Sequence, residues 1–277
     1  YLLNNSAEFF KNSYLTTKDY VLIADSIYYN NKNNILKCIG NVCLRDSINN
    51  LYIKGNQANF YEKENRMIFK KNPSLFLLSD SDTLIINSDI FENIKNSYSN
   101  KIYAYNNVKF NNENLVGKCD SLIYTTNDST ISLFKKPIIW FDEYQVFSDT
   151  IFINYFDKKI NKLFLNSRPM IISKHDSLNY NQIKGKKMTG FFSKNKLTKI
   201  EVKGNGQSIY YLSEDDKTIG MNYLESSNIN LNFKKKKIEN INYEIIPLSL
   251  TKPIKDVKEK DKYLKNFEWR INEKPLF

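Results

Sequence analysis

A short corner motif returns along most of this chain at nearly constant spacing, and that period limits the possible folds more than any other feature. Its copies are Ala24-Asp25-Ser26-Ile27, Gly55-Asn56-Gln57-Ala58, Ser88-Asp89-Ile90-Phe91, Cys119-Asp120-Ser121-Leu122, Ser148-Asp149-Thr150-Ile151 and Gly185-Lys186-Lys187-Met188. Ser226-Ser227-Asn228-Ile229 is a weaker seventh. The second residues stand at 25, 56, 89, 120, 149, 186 and 227, so the first four intervals are 31, 33, 31 and 29 residues and the last two 37 and 41. Such a period marks stacked supersecondary units, none of which can bury its apolar face alone.

Apolar residues alternate on both sides of each corner. Ile53 and Val146 stand three residues before their corners, Ala58, Leu122 and Ile151 two after, and Phe60, Tyr124 and Ile153 four after. A spacing of two is the strand period. The set is odd before the corner and even after it, so a straight strand would turn one arm's apolar residues outward. A bulge or sharp bend at the corner restores a common inward face.

The alternate strands carry breaks of their own at Gly40-Asn41, Asn72-Pro73, Asn106-Asn107, Lys136-Pro137, Arg168-Pro169 and Gly204-Asn205-Gly206. Proline inside a strand is confined to edges and bulges, and glycine often marks a bend. Val42, Val108 and Ile139 follow three of these breaks and join the inward set. Polar turns such as Asn30–Asn34, Ser47–Asn50, Asn111–Asn114 and Asn127-Asp128 separate the strands, because Asn and Asp tolerate left-handed backbone.

The expectation is an all-β, antiparallel repeat of about seven bent two-strand units over residues 1–245, a creased sheet with an apolar inside. Its first and last strands would leave edges that can template addition of another chain. After about Tyr243 the pattern stops. Pro247 and Pro253 bracket a polar joint, Lys255 to Lys265 is a charged run of weak helical character, and Leu264, Phe267 and Trp269 offer apolar anchors. Residues 246–277 are therefore expected to cap one open end of the repeat.

Catalytic chemistry is not legible. The single histidine, His175, lies in a charged segment and is expected in a surface loop. There is no HxxxH pair, GxSxG elbow, P-loop or Rossmann fingerprint, so neither an enzyme nor a metal or cofactor site is expected. Rows of Asp build catalytic or calcium sites on some β-solenoids. Here Asp25, Asp89, Asp120 and Asp149 each follow a small residue at a bend, which points to local backbone bonding. Cys38, Cys43 and Cys119 form no CxxC pair and are odd in number, so they read as small apolar fillers; Cys38 and Cys43 differ in parity and should face opposite sides. Trp140 is expected in the core or at a rim, and Lys234–Lys237 in a solvated turn, at a place where an anionic headgroup could be met.

The net charge of +11, from 41 Lys+Arg against 30 Asp+Glu, suits an acidic partner such as a phosphorylated lipid or nucleic acid. Joint enrichment of Lys, Asn and Ile is also what AT-rich coding produces. No run approaches 18 apolar residues, as a membrane-crossing helix would need. The chain opens at Tyr1 with no Met, basic n-region or hydrophobic h-region, so no leader is expected to be visible in this sequence, which is compatible with one removed ahead of it.

The corner signature, the Gly40-Asn41-Val42 break and the ~31-residue period resemble the OstA/LptA family of lipopolysaccharide-transport proteins. Longer strings are similar to Bacteroidetes-type OstA-like proteins: Cys119-Asp120-Ser121-Leu122-Ile123-Tyr124, Asn181-Gln182-Ile183-Lys184-Gly185-Lys186, Val202–Tyr211, Ile219-Gly220-Met221-Asn222 and Leu264-Lys265-Asn266-Phe267-Glu268-Trp269. Lys274-Pro275 departs from the Arg-Pro expected there. The resemblance implies a β-jellyroll (a β-taco) whose apolar groove holds the acyl chains of lipid A. It also implies periplasmic or outer-membrane-associated placement, end-to-end joining to other jellyroll proteins or to further copies by strand addition, and no role for nucleic acid. Candidate groove residues are Val42, Ile53, Ala58, Phe60, Val108, Leu122, Tyr124, Ile139, Val146, Ile151 and Ile153. A β-solenoid adhesin or carbohydrate-binding surface protein would show similar repeats, with a sealed interior and an exposed aromatic ladder. A polysaccharide-degrading β-helix enzyme is a third reading.

Overall fold

A computed structural model describes residues 2, 3, 6–18, 20–79, 82–156, 159–194, 196–215, 217–235, 237–245 and 248–277. Among them are 23 β-strands, four 3-10 turns and no α-helix. The strands pair antiparallel, most with a neighbour close in sequence, as the repeat requires. Pro247 and Lys236 lie outside the described residues.

The crease has a local cause at every repeat. In Tyr20–Asn30, Leu22 and Ala24 are buried before the corner and Ile27 after it, so the inward parity switches at Asp25-Ser26. The ladder slips there: Ile23 pairs with Cys43 and Ser26 with Ile39, leaving three residues of the second strand opposite two of the first. The small residue ahead of the corner binds the carbonyl two positions on. Ser88 Oγ donates to Ile90 O at 2.9 Å, Ser148 Oγ to Thr150 O at 2.8 Å, Ser226 Oγ to Asn228 O at 2.6 Å, and Cys119 Sγ to Ser121 O at 3.3 Å. A hydroxyl or thiol thus accepts the role that the interrupted ladder drops.

The breaks are left-handed pairs. Gly40-Asn41, Lys71-Asn72, Asn106-Asn107, Lys135-Lys136, Ser167-Arg168 and Gly204-Asn205 all have positive φ. Where proline follows, the pair stands one residue earlier than the sequence pattern suggested, because the proline ring itself holds φ negative. Asp25, Asp89 and Asp149 lock onto these pairs further along the chain, rather than onto their own backbone as expected. Asn41 Nδ2 donates to both Asp25 oxygens at 3.2 and 3.0 Å, Asn107 Nδ2 to Asp89 at 2.9 Å, and Arg168 forks onto Asp149 at 3.1 and 2.7 Å. At Gly40, φ is +78° and a Cβ would run into the Asp25 carboxylate, so glycine is required twice over.

The chain divides into two compact units. Unit 1 comprises residues 1–113 and 118–133, and unit 2 residues 114–117 and 134–277. Within each, residues before the corners form one leaf and residues after them the other. In unit 1 the register aligns Leu22, Leu44, Ile53, Leu75, Ile86 and Phe110 in one inward row of the first leaf. Ile27, Cys38, Ala58, Phe69, Phe91 and Ala104 form the matching row of the second. All twelve are buried, and burying each of the large ones stabilises the unit by roughly 1.5–3 kcal/mol. Cys38 is buried, with its thiol pushed up to about 12 by burial, while Cys43 faces the other way, as parity predicts.

In unit 2 the first-leaf row runs Ile139, Val146, Ile171, Ile183, Ser208 and Leu224. The second-leaf row runs Ile151, Leu165, Met188, Val202, Ile229 and Tyr243. The rows turn polar toward one end, where Ser208 Oγ and Tyr243 Oη meet at 3.3 Å and tie one leaf to the other.

The tail docks on the opposite, outward face of the first leaf of unit 2. Leu264 packs with Met170, Ile172, Ile209, Tyr211 and Met221, and Phe267 and Trp269 lie against this cluster. Two fully buried glutamines hold the tail's backbone. Gln182 Nε2 donates to Lys262 O at 2.7 Å, and its Oε1 accepts from Leu264 N at 2.8 Å. Gln145 likewise takes Glu268 O at 2.6 Å and Arg270 N at 2.7 Å. A primary amide presents the same donor and acceptor as a peptide group, so each glutamine acts as one extra ladder rung turned out of the sheet. The charged run does not form the weak helix expected of it; it holds 3-10 turns at Ile254–Asp256 and Glu259–Asp261, since its few apolar residues have no helical period to bury.

Candidate functional site

The eleven candidate groove residues separate by burial. Val42, Ile53, Ala58, Val108, Leu122 and Tyr124 in unit 1 and Ile139, Val146, Ile151 and Ile153 in unit 2 are all buried, most at 1% exposure or less, and are covered by protein. Phe60 alone is half-exposed. It borders a cavity of about 520 Å³ in unit 1, together with Tyr14, Leu15, Tyr20, Tyr29 and Leu36.

The larger cavity, about 640 Å³, belongs to unit 2. Its apolar walls are Leu115, Phe141, Tyr144, Phe192, Leu197 and Phe233, and Lys194, Lys196, Lys234 and Lys235 stand at its rim with Asp142. All four lysines are exposed. Lys234 is paired with Glu239 at 2.9 Å. The repeat explains the placement. Phe192 and Phe233 lie six residues after their corners, one step beyond the four-after position, on the same inward parity but nearer the strand tips. A second ladder slip occurs at each tip, between Phe191 and Phe192 and between Asn232 and Phe233. The positively charged turns that follow, which contain Lys194 and Lys235 at positive φ, then edge the opening. Extending the period by two more residues would have found both aromatics; the first two residues of the Lys234–Lys237 run border the cavity.

Tyr144 reaches across this cavity from the first leaf. Its ring meets Phe233 of the second leaf edge-on at 5.5 Å and 83°. Burial, with the Glu143 carboxylate beside it, holds the phenol well above its ordinary range. Behind Tyr144 the interior closes to a void of about 10 Å³, bordered by Ile171, Ser173, Asn181, Ile183, Ser208 and Tyr243 among others.

Expected features elsewhere fall outside this site. His175 lies in a loop, as expected, but half-buried: its Nε2 lies 3.2 Å from Thr218 Oγ1 and 3.0 Å from Ser213 Oγ, and its ring stacks on Tyr211. Beside it, burial would raise the Asp176 carboxyl, but hydrogen bonds from Asn179, Thr218 and the backbone amides of Leu178 and Asn179 hold it far below the usual carboxylate range. Trp140 is buried on the outward face, paired with Gln145. No group of three or more metal-ligating side chains occurs among the described residues. No helix among them is long and apolar enough to cross a membrane.

Creased antiparallel strands around an apolar interior make this an all-β jellyroll protein. Residues 22–159 match the family model described as LptA/(LptD N-terminal domain) LPS transport protein, and through this segment the chain belongs to that lipopolysaccharide-transport family. A comparison with curated proteins finds no match. The family match ends at residue 159, before Phe192, Leu197 and Phe233, so the second-leaf wall of the larger cavity is defined by this chain's own geometry.

Proposed function

We propose that this chain carries lipopolysaccharide or a related lipid in the periplasm toward the outer membrane, shielding acyl chains in its apolar interior, and that it does no covalent chemistry on its cargo. The observation that carries the reading is the larger cavity: an aromatic and aliphatic hollow for acyl chains, edged by lysines that complement an anionic headgroup. Each methylene withdrawn from water contributes roughly 0.8 kcal/mol, so even half of a long acyl chain gives a useful affinity without any specific bond. Buried positions such as Ile151 line packed interior and accept lipid only if the leaves part. End-to-end partners, whether other jellyroll proteins or further copies, would add to the last strands, Lys237–Glu244 and Leu248–Pro253, both of which pair with Lys217–Lys234.

The test is photo-crosslinking in the native envelope from side chains replaced one at a time. Capture of lipopolysaccharide from positions 233 and 60, with little from packed Ile151 and none from outward Lys54, is the expected pattern. Equal capture at Lys54 and Phe233, or none at either cavity, would count against the proposal.

A further inference from the structure

We infer that Tyr144 is a chain-length stop, which fixes how far an acyl chain penetrates the unit 2 cavity. This rests on the lipid reading above and adds a specificity-determining residue to it. Three observations converge. Tyr144 borders both the 640 Å³ cavity and the 10 Å³ void, so its ring is a wall between open and filled interior. It is 4% exposed and is held by the Phe233 ring of the far leaf at 5.5 Å and by the Phe141 ring at 5.6 Å, so it does not swing aside at the cost of one weak contact. Behind it the lining becomes polar, with Ser173, Asn181 and Ser208, and the Ser208–Tyr243 contact joins the leaves. An acyl chain passing Tyr144 would therefore meet both a filled space and hydroxyl and amide groups whose bonds it would break.

The lysines hold the other end of the ligand. With an anionic headgroup at the rim and the chain terminus stopped at Tyr144, the span between them sets a preferred length. Methylenes that fit strengthen binding, and those beyond the stop remain in water and add nothing.

The experiment uses the full chain and a series of saturated single-chain glycerol phosphates from eight to eighteen carbons, kept below their micelle thresholds, displacing a fluorescent fatty acid. For the native protein, affinity should rise about fourfold per methylene and then level off at one length. Tyr144→Phe keeps the ring and should level off at the same length. Tyr144→Ala should level off at a longer chain. Tyr144→Leu, which keeps an apolar side chain at the site and is expected to be the better tolerated, should shift the plateau in the same direction by a smaller step. An unchanged plateau in folded Tyr144→Ala or Tyr144→Leu would overturn the stop while leaving the lipid site intact. Absence of any saturable binding by the native protein would overturn the lipid reading and the stop with it.

Discussion

Units 1 and 2 are built from one repeat, yet they finish their first leaf in opposite ways. In unit 1 the outward row Val21, Arg45, Tyr52, Phe76, Ile85 and Asn111 holds no buried residue, and Tyr52 and Phe76 stack at 4.4 Å beneath the Lys54 ammonium. In unit 2 the equivalent row contains Trp140, Gln145, Ile172, Gln182 and Ile209, all buried. The inward rows differ in the reverse sense: those of unit 1 are apolar throughout, whereas those of unit 2 include Ser208, next to last in its row, and Tyr243, last in its row. The same corner chemistry thus creates strand and crease, while residues off the inward parity decide what each leaf carries. Unit 1 derives its stability from its inside, and unit 2 also from a tail laid across its outside.

Four substitutions sharpen or break that contrast. Phe91→Ala, at a site with no exposure, removes a large side chain from the inner row of unit 1 and should cost about 4 kcal/mol. Hydrogen exchange should place the loss in unit 1; equal loosening of both units would dissolve the distinction. Gln182→Ala strips two bonds from tail backbone that remains buried and should cost about 2–3 kcal/mol. Limited proteolysis should then cut between residues 254 and 270, with the 254–270 backbone of native protein resistant under the same conditions. Gly40→Ala forces a Cβ into a left-handed position against Asp25 and should cost about 1–2 kcal/mol, read as a lower denaturant midpoint.

The smallest effect concerns pH. Asp176 has a folded-state pKa depressed below its ordinary 3.8. Its contribution is therefore fully present above that value and is lost as pH falls through the lower folded-state value. Asp176→Asn should lower the thermal stability of unit 2 at neutral pH and flatten its acid limb, so that variant and native protein converge in acid. A steeper acid limb in the variant would contradict the assignment.

Much of this was legible from residue order alone, for a physical reason: a strand has an exact period of two, and one face of each strand is buried. The parity switch at Asp25, the opposite facing of Cys38 and Cys43 and the positions of the bent strands all follow from that alternation. What escaped depends on partners distant in sequence. Gln145 and Gln182 each stand four residues before a corner, an outward position where a polar residue signals solvent; only the tail, 123 and 80 residues away at its nearest bonds, makes them buried. Phe192 and Phe233 keep the inward parity but sit past the second ladder slip, one step beyond the last position that the repeated corner pattern marks. Asp25, Asp89 and Asp149 bond to a left-handed pair 16 to 19 residues on, which no local turn rule anticipates.

The claim that an amphiphile with an anionic head occupies the lysine-edged hollow is tested most directly by native mass spectrometry of protein taken gently from its own envelope. Native chain should carry a phosphorylated, acylated lipid in defined stoichiometry, and Phe233→Asp, which puts a carboxylate in the cavity wall, should lose most of it. Native chain that arrives lipid-free, or a Phe233→Asp variant that retains the full load, would contradict the account.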